Sequence, residues 1–332
     1  MPRRPFAAIG LALALALVPA IWSDVKAQAP RAAAKPAAVP RADNGKPDLT
    51  GIWSFATITP LQRPANLGDK TVLTDEEAAN LEKQAAASAN QDDGRQRGTA
   101  ADVSRAYNDF WYDRGTRVTG TRQTSIIVDP PNGRIPAMTA EGQARAAARQ
   151  EARRGRGPSD GPEDRSLAER CLIGFNAGPP FLPSAYNNNI QIVLTRDYVV
   201  IVNEMVHEAR IVPLDGRPRQ SQNIRPWMGE SRGRWEGDTL VIETINFSPK
   251  NTPRGGSDKL KLTEKFTRTA ADVVTYEFTF NDPATWATPW TGRMPLEKID
   301  EIYEYACHEG NRGMEGIMKG TRTEQKDASS RR

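Results

Sequence analysis

Histidine and cysteine are scarce in this chain, with two of each in 332 residues. His207 and His308 each precede a glutamate, but neither begins an H-E-x-x-H motif, because Ile211 and Arg312 stand where the second histidine would be. No metal centre is therefore expected. There is no G-x-S-x-G elbow, Gly256-Ser257-Asp258 falls in a polar stretch, and no glycine-rich phosphate cradle occurs. Serine-nucleophile and nucleotide-phosphate chemistry are thereby set aside, and no cofactor is expected. Charge of one sign is also in short supply. The formal net charge is +4. Removing residues 1–29 takes away Arg3, Arg4 and Lys26 and also Asp24, leaving about +2, too small a surplus to argue for nucleic acid or an anionic membrane. No internal repeat is visible.

The N-terminus reads as an export signal. Arg3 and Arg4 form a basic head, Phe6 to Ile21 is nearly all apolar, and Ala27-Gln28-Ala29 is a small-x-small cleavage pattern. Gly10 and Pro19 interrupt the apolar run, which falls short of a typical span of ~20 residues, so no integral membrane segment is expected after cleavage. A periplasmic or secreted location follows. The general secretory route is the expectation, and Arg3-Arg4-Pro5-Phe6 leaves a twin-arginine route as the alternative. In such a compartment Cys171 and Cys307 are expected to pair.

Residues 30–46 are Ala/Pro-rich and expected to be a disordered linker. Thr74-Asp75-Glu76-Glu77 is a capping box opening a helix to about Ala89, and Thr139 caps a second helix to about Arg154. Arg145, Arg149, Arg153, Arg154 and Arg156 are expected on a solvated face. Tyr107 to Arg114 packs four aromatics into six positions, a pattern of burial. Thr124–Val128 reads as a strand, stopped by Asp129-Pro130-Pro131-Asn132-Gly133.

From Asn189 the texture becomes β. Expected strands are Ile190–Thr195, Tyr198–Met205, His207–Leu214, Arg232–Glu236, Thr239–Phe247, Lys259–Thr269, Val273–Asn281 and Ile299–His308, with a further short one between Trp286 and Met294. Gly237-Asp238 marks a hairpin. Val274, Tyr276, Phe278 and Phe280 alternate with polar residues and should share a buried face with Leu260, Leu262 and Phe266. Val199–Val202 is apolar throughout, which predicts a strand covered on both faces. The fold class expected is mainly β, α+β overall: an antiparallel up-and-down barrel over residues 185–321. Residues 47–184 would form a helical and irregular layer against it, and 322–332 a disordered tail.

Gly51-Ile52-Trp53 resembles the G-x-W at the start of the first strand of lipocalins, whose tryptophan closes the barrel base. This implies a calycin-like architecture. Pro47–Trp53, Val128–Pro136, Arg170-Cys171, Gly233–Val241 and Tyr305–Asn311 also resemble a family of exported bacterial proteins without an assigned activity. That resemblance supports export and fold and implies no mechanism.

Candidate chemistry centres on the strand ends. His207 and His308 titrate near neutrality, and each has a carboxylate beside it. Glu304 and His308 would share a face of the last strand, whereas Cys307 and His308 would face opposite ways. Arg210, Arg225, Trp227 and Tyr305 are candidate ligand contacts, an arginine among aromatics being suited to a carboxylate-bearing aromatic compound. Structural stacking explains the same residues. Three readings stand. The first is a cofactor-free lyase, isomerase or hydrolase acting on a small apolar or aromatic compound. The second is a non-catalytic carrier of such a compound, and the third a ligand-free envelope or interaction protein. The oligomeric state is not legible.

Overall fold

Alternating apolar residues build one large antiparallel sheet. A computed structural model describes residues 39–89, 115–157, 159–307 and 312–330. The export signal and the aromatic segment 107–114 lie outside the described residues. The strands are β1 (Gly51–Ser54), β2 (Ile127–Asp129), β3 (Asn189–Leu194), β4 (Tyr198–Asn203), β5 (Ala209–Pro213), β6 (Glu230–Glu236), β7 (Thr239–Ile245), β8 (Lys261–Arg268), β9 (Val273–Asn281) and β10 (Trp290–Ile299). Their order is β5-β4-β3-β1-β10-β9-β8-β7-β6, with β2 also on β10. Thus β3–β5 and β6–β10 are the expected up-and-down meanders. The N-terminal half contributes β1 and β2, so the sheet is not confined to residues 185–321.

The predicted register between β8 and β9 holds. Leu262 pairs with Phe280 and Phe266 with Tyr276, and these side chains are fully buried with Phe278 and Leu260. Together with Trp53, Ile190, Val199, Leu240 and Trp290 they fill the concave side. The edge strands β5 and β6 approach within 8 Å between Cα atoms, but among the described residues no ladder joins them. Gly233 makes that approach possible, since a Cβ there would lie 2.6 Å from Leu214 Cδ2. The connection between β5 and β6 laces the seam further. Arg219 donates to the carbonyls of Glu230 and Glu243, and Arg232 to that of Pro218.

Inside, one polar cluster interrupts the apolar packing. Arg210 donates through both terminal nitrogens to Glu264, at 2.6 and 3.1 Å, and the Tyr276 hydroxyl donates to Glu264 at 2.8 Å. The Phe181 amide donates to the Tyr276 oxygen, and the guanidinium lies 5.5 Å from the Phe181 ring centre. Exposure is 7% for Arg210 and zero for Glu264 and Tyr276. Burial, then the negative charge of Glu264, pushes the Tyr276 hydroxyl pKa well above its ordinary value.

Several expectations are corrected. Ile299–His308 is not a strand: the last strand is β10, and residues 300–307 are irregular. Pro295 is accommodated because it lies between the stretch of β10 paired with β2 and the stretch paired with β1. Beyond Ile299 the partners have run out, since Ile299 pairs with Ile52 next to the first residue of β1 and Glu297 with Val273, the first residue of β9. Val200 and Val202 are only half-buried on the outer face, where Ile211 is 63% exposed, so β4 is not covered on both sides. Residues 39–46 belong to the folded body: Arg41 bridges to Pro47 and pairs with Asp238 in the β6–β7 turn.

Among the described residues there are three α-helices, α1 (Asp75–Ala89), α2 (Ala140–Ala152) and α3 (Arg312–Ser330). Residues 322–330, expected to be a disordered tail, continue α3. The α1 capping box forms in both directions between Thr74 and Glu77, and Thr139 caps α2. Arg145 is half-buried rather than solvated, and Arg149, although exposed, also reaches the protein. Arg145 donates to Thr285 and to the Ala284 carbonyl, and Arg149 to the carbonyls of Gly255 and Gly256. No helix among the described residues is long and apolar enough to cross a membrane.

Glu264→Gln is expected to lower the unfolding free energy by about 3–5 kcal/mol, since it leaves Arg210 buried without its counter-charge. Tyr276→Phe should cost about 1–2 kcal/mol. The Arg210→Met/Glu264→Leu double variant should recover most of the loss. Denaturant unfolding of the four proteins measures all three effects.

Candidate functional site

The pairings place the ends of β1, β4, β7 and β9 and the starts of β3, β5, β6, β8 and β10 at one end of the sheet. The loops of that end surround a cleft of about 520 Å³. One wall is Thr57–Leu61, which continues from β1, and Ile126 stands beside it. The opposite wall comes from the segment before β3, through Phe175, Leu182, Pro183 and Ser184. Arg254, from the loop between β7 and β8, completes the lining. Phe181 packs inward on Phe55 and Tyr276, with ring centres at 5.7 and 5.6 Å. It directly precedes the lining residue Leu182, and its ring also lies 5.5 Å from the Arg210 guanidinium.

The wall carrying Phe175 is tied down covalently. Cys171 and Cys307 form the expected disulfide, with Cα atoms 5.9 Å apart. Tyr305 then stacks on Tyr186 at 6.3 Å, and Tyr186 meets Phe175 edge-on at 5.3 Å. Gly174 packs so closely on Met205 that a Cβ would lie 2.1 Å from the Met205 Cγ. A row of aromatic rings therefore runs from the C-terminal segment to the cleft. Phe175 keeps 48% of its surface exposed.

The loop carrying Arg254 is fixed from below. Arg149 of α2 holds the carbonyls on either side of the Gly255–Gly256 bond. Asp282, itself buried, accepts from the Ser257 amide and hydroxyl, the Ala284 amide and the Thr285 hydroxyl. Burial alone would raise the Asp282 pKa, but the hydrogen bonds from Thr285, Ser257 and Ala284 outweigh it and hold it below the ordinary carboxyl value. Ser257 thus serves as a hydrogen-bonding anchor.

Comparison with models of known protein families, with characterised proteins and with solved structures finds no match. The site must be read from its own geometry.

The residues singled out from sequence divide into three groups. Tyr305 and Trp227 support the cleft wall: Tyr305 through Tyr186, Trp227 by packing with Leu167, Ile173, Ala177 and Met228. Arg225 is exposed in the connection leading to β6 and lies 4.0 Å from Asp258. Arg210 is buried, donates through both terminal nitrogens to Glu264 and is not among the residues that line the cleft. His207 occupies the turn between β4 and β5 but its side chain lies outside the described residues, as does all of His308. Glu304 is exposed on an irregular segment, so its proposed shared strand face with His308 does not exist.

Sequence reasoning missed Arg254, Phe175, Leu182 and Glu264. Glu264 was legible, because it shares the parity of Leu262 and Phe266 and had to point inward. Arg254 left only a faint signal, its place in Pro253-Arg254-Gly255-Gly256. A second groove of about 470 Å³ lies across the shared Ile58–Pro60 wall, beside α1. Its lining is mainly aliphatic, and the Glu77 carboxylate there is taken by Lys70 and Thr74.

Two outcomes are expected. Because the folded pKa of Asp282 is depressed, its contribution is complete above an unfolded carboxyl pKa of about 3.9 and is lost as pH falls through the folded pKa. Asp282→Asn should therefore cost about 1–3 kcal/mol at pH 7. It should also flatten the acid loss of stability between pH 5 and pH 2, read from unfolding curves. Unreduced protein should show no reactive thiol, and Cys171→Ser/Cys307→Ser should lose about 2–5 kcal/mol.

Proposed function

We propose that the protein is an exported binding protein for a small, largely apolar or aromatic compound, held at the mouth of a calycin-like barrel. The observation that carries this reading is the cleft of about 520 Å³ walled by Phe175, Leu182 and Ile126. Its size falls in the range of small-molecule sites, roughly 300–1,000 Å³. Among the described residues the lining contains no carboxylate or histidine, so the cleft supports retention of a ligand better than acid–base turnover. The export reading draws support from the disulfide. The calycin-like reading draws support from Trp53, which is fully buried, donates to the Leu49 carbonyl and lies 5.3 Å from the Arg268 guanidinium.

The test uses a neutral fluorescent probe, N-phenyl-1-naphthylamine, with the purified protein. Saturable enhancement is expected in the wild type, together with about tenfold weaker binding in Phe175→Ala, which removes an exposed ring and leaves the core untouched. Ser184→Trp, which fills the cleft, should abolish binding. Enhancement that is absent, or that persists unchanged in both variants, would eliminate the cleft as a binding site.

A further inference from the structure

Arginines around the cleft are committed to protein partners, with one exception. Arg145, Arg149 and Arg210 each donate to carbonyls, hydroxyls or a carboxylate. Arg254 lines the cleft and has no hydrogen-bond or ion-pair partner among the described residues. It is also the one charged residue of the lining among them. Other polar side chains of the wall are engaged: the Thr57 hydroxyl donates to the Arg117 carbonyl, and the Thr59 hydroxyl accepts from the Thr119 amide. Arg254 is exposed overall, and the protein atoms beside its head hold its pKa below the ordinary guanidinium value.

The backbone supplies an independent observation. Arg254 sits at φ 54°, ψ 23°, the left-handed region that a side chain with a Cβ adopts at a cost of about 1–2 kcal/mol. Glycine would sit there without strain, and Gly255 and Gly256 follow it directly. The loop is nonetheless held rigidly in this form by Arg149 and by Asp282 through Ser257. An exposed cation on the cleft rim, in a strained backbone conformation and without a hydrogen-bond or ion-pair partner among the described residues, is placed to pair with an anion in the cleft.

We infer that Arg254 is the anion anchor of the cleft, binding the carboxylate of a small aromatic or aliphatic acid whose apolar body lies against Phe175, Leu182 and Ile126. A planar guanidinium suits a carboxylate because its parallel donors meet both oxygens. The inference rests on the cleft being a ligand site, and it adds the charge and class of the ligand.

The test compares 2-naphthoate with naphthalene-2-carboxamide, which has the same shape and no charge, by displacement of N-phenyl-1-naphthylamine. In the wild type naphthoate should bind about 10- to 100-fold more tightly. In Arg254→Gly and Arg254→Gln that ratio should fall to about one while the carboxamide affinity is retained. Arg254→Lys should keep a part of the preference. Arg254→Gly relieves the backbone, so its thermal midpoint should equal or exceed that of the wild type, which separates lost binding from lost fold. A wild-type ratio near one, or a preference that survives Arg254→Gly, would overturn the anchor while leaving the cleft in place. If neither naphthalene compound nor the neutral probe binds the wild type, the cleft reading itself falls and the anchor with it.

Discussion

A buried bidentate ion pair between Arg210 and Glu264 holds the arrangement that everything else uses. The sheet has two free edges, β5 and β6, that meet without a ladder, and van der Waals contact across Gly233 is a weak closure. The Arg210–Glu264 pair reaches from the edge strand β5 across the interior to β8, and Tyr276 extends it to β9 and to Phe181. An ion pair in an apolar interior gains little net stability over well-packed hydrocarbon, but either half alone is costly. The energetic penalty therefore falls on any state in which β5 leaves the seam. The cluster acts more as a latch than as a source of stability.

This use of the interior decides where chemistry can happen. A ten-stranded antiparallel sheet with one apolar face could hold a ligand in the volume against that face. Here Phe181, Tyr276, Phe278, Phe280 and Trp290 occupy that volume in a chain of tilted, edge-on and stacked contacts. The space available to a ligand is displaced outward to the rim, where loops rather than strands provide the walls. Such walls need separate support. It comes from the disulfide and the Tyr305–Tyr186–Phe175 row on one side, and from Arg149 and Asp282 on the other.

How much of this was legible depended on whether a signal was periodic. Strand alternation located eight of the ten strands, and β9 to the residue, because burial on one face leaves an unambiguous pattern of two. The capping boxes and the cysteine pairing were equally readable, the latter because no other partner exists. The final strand was placed at Ile299–His308, with only a short one expected between Trp286 and Met294, whereas β10 runs on through Pro295. Its tolerance depends on a gap between two partner strands that are more than 70 residues apart in sequence. Arg210 was recognised as important but assigned to a pocket, since its partner Glu264 lies 54 residues away and only the folded chain unites them. The cleft was least legible. Its lining comes from four separate segments, none periodic, and Arg254 is marked by a backbone conformation that residue identity alone does not reveal.

Strand β1 has a consequence for how the chain can assemble. It is four residues long, yet it is the sole hydrogen-bonded link between β3 and β10 in the described sheet. Without it the architecture is two separate meanders, β3–β5 and β6–β10, each with an additional open edge. β1 lies near the start of the folded body and β10 near its end, so their pairing spans almost the whole domain in sequence and carries a large loop-closure cost. A chain delivered N-terminus first can pair β1 with β3 early, but it must leave the other edge of that strand open until β10 emerges. Exposed edges of this kind recruit other chains. The product of incomplete synthesis or of a lost N-terminal strand is thus an adhesive half-sheet, and the apolar Gly51-Ile52-Trp53 segment is as much a guard against aggregation as a part of the core.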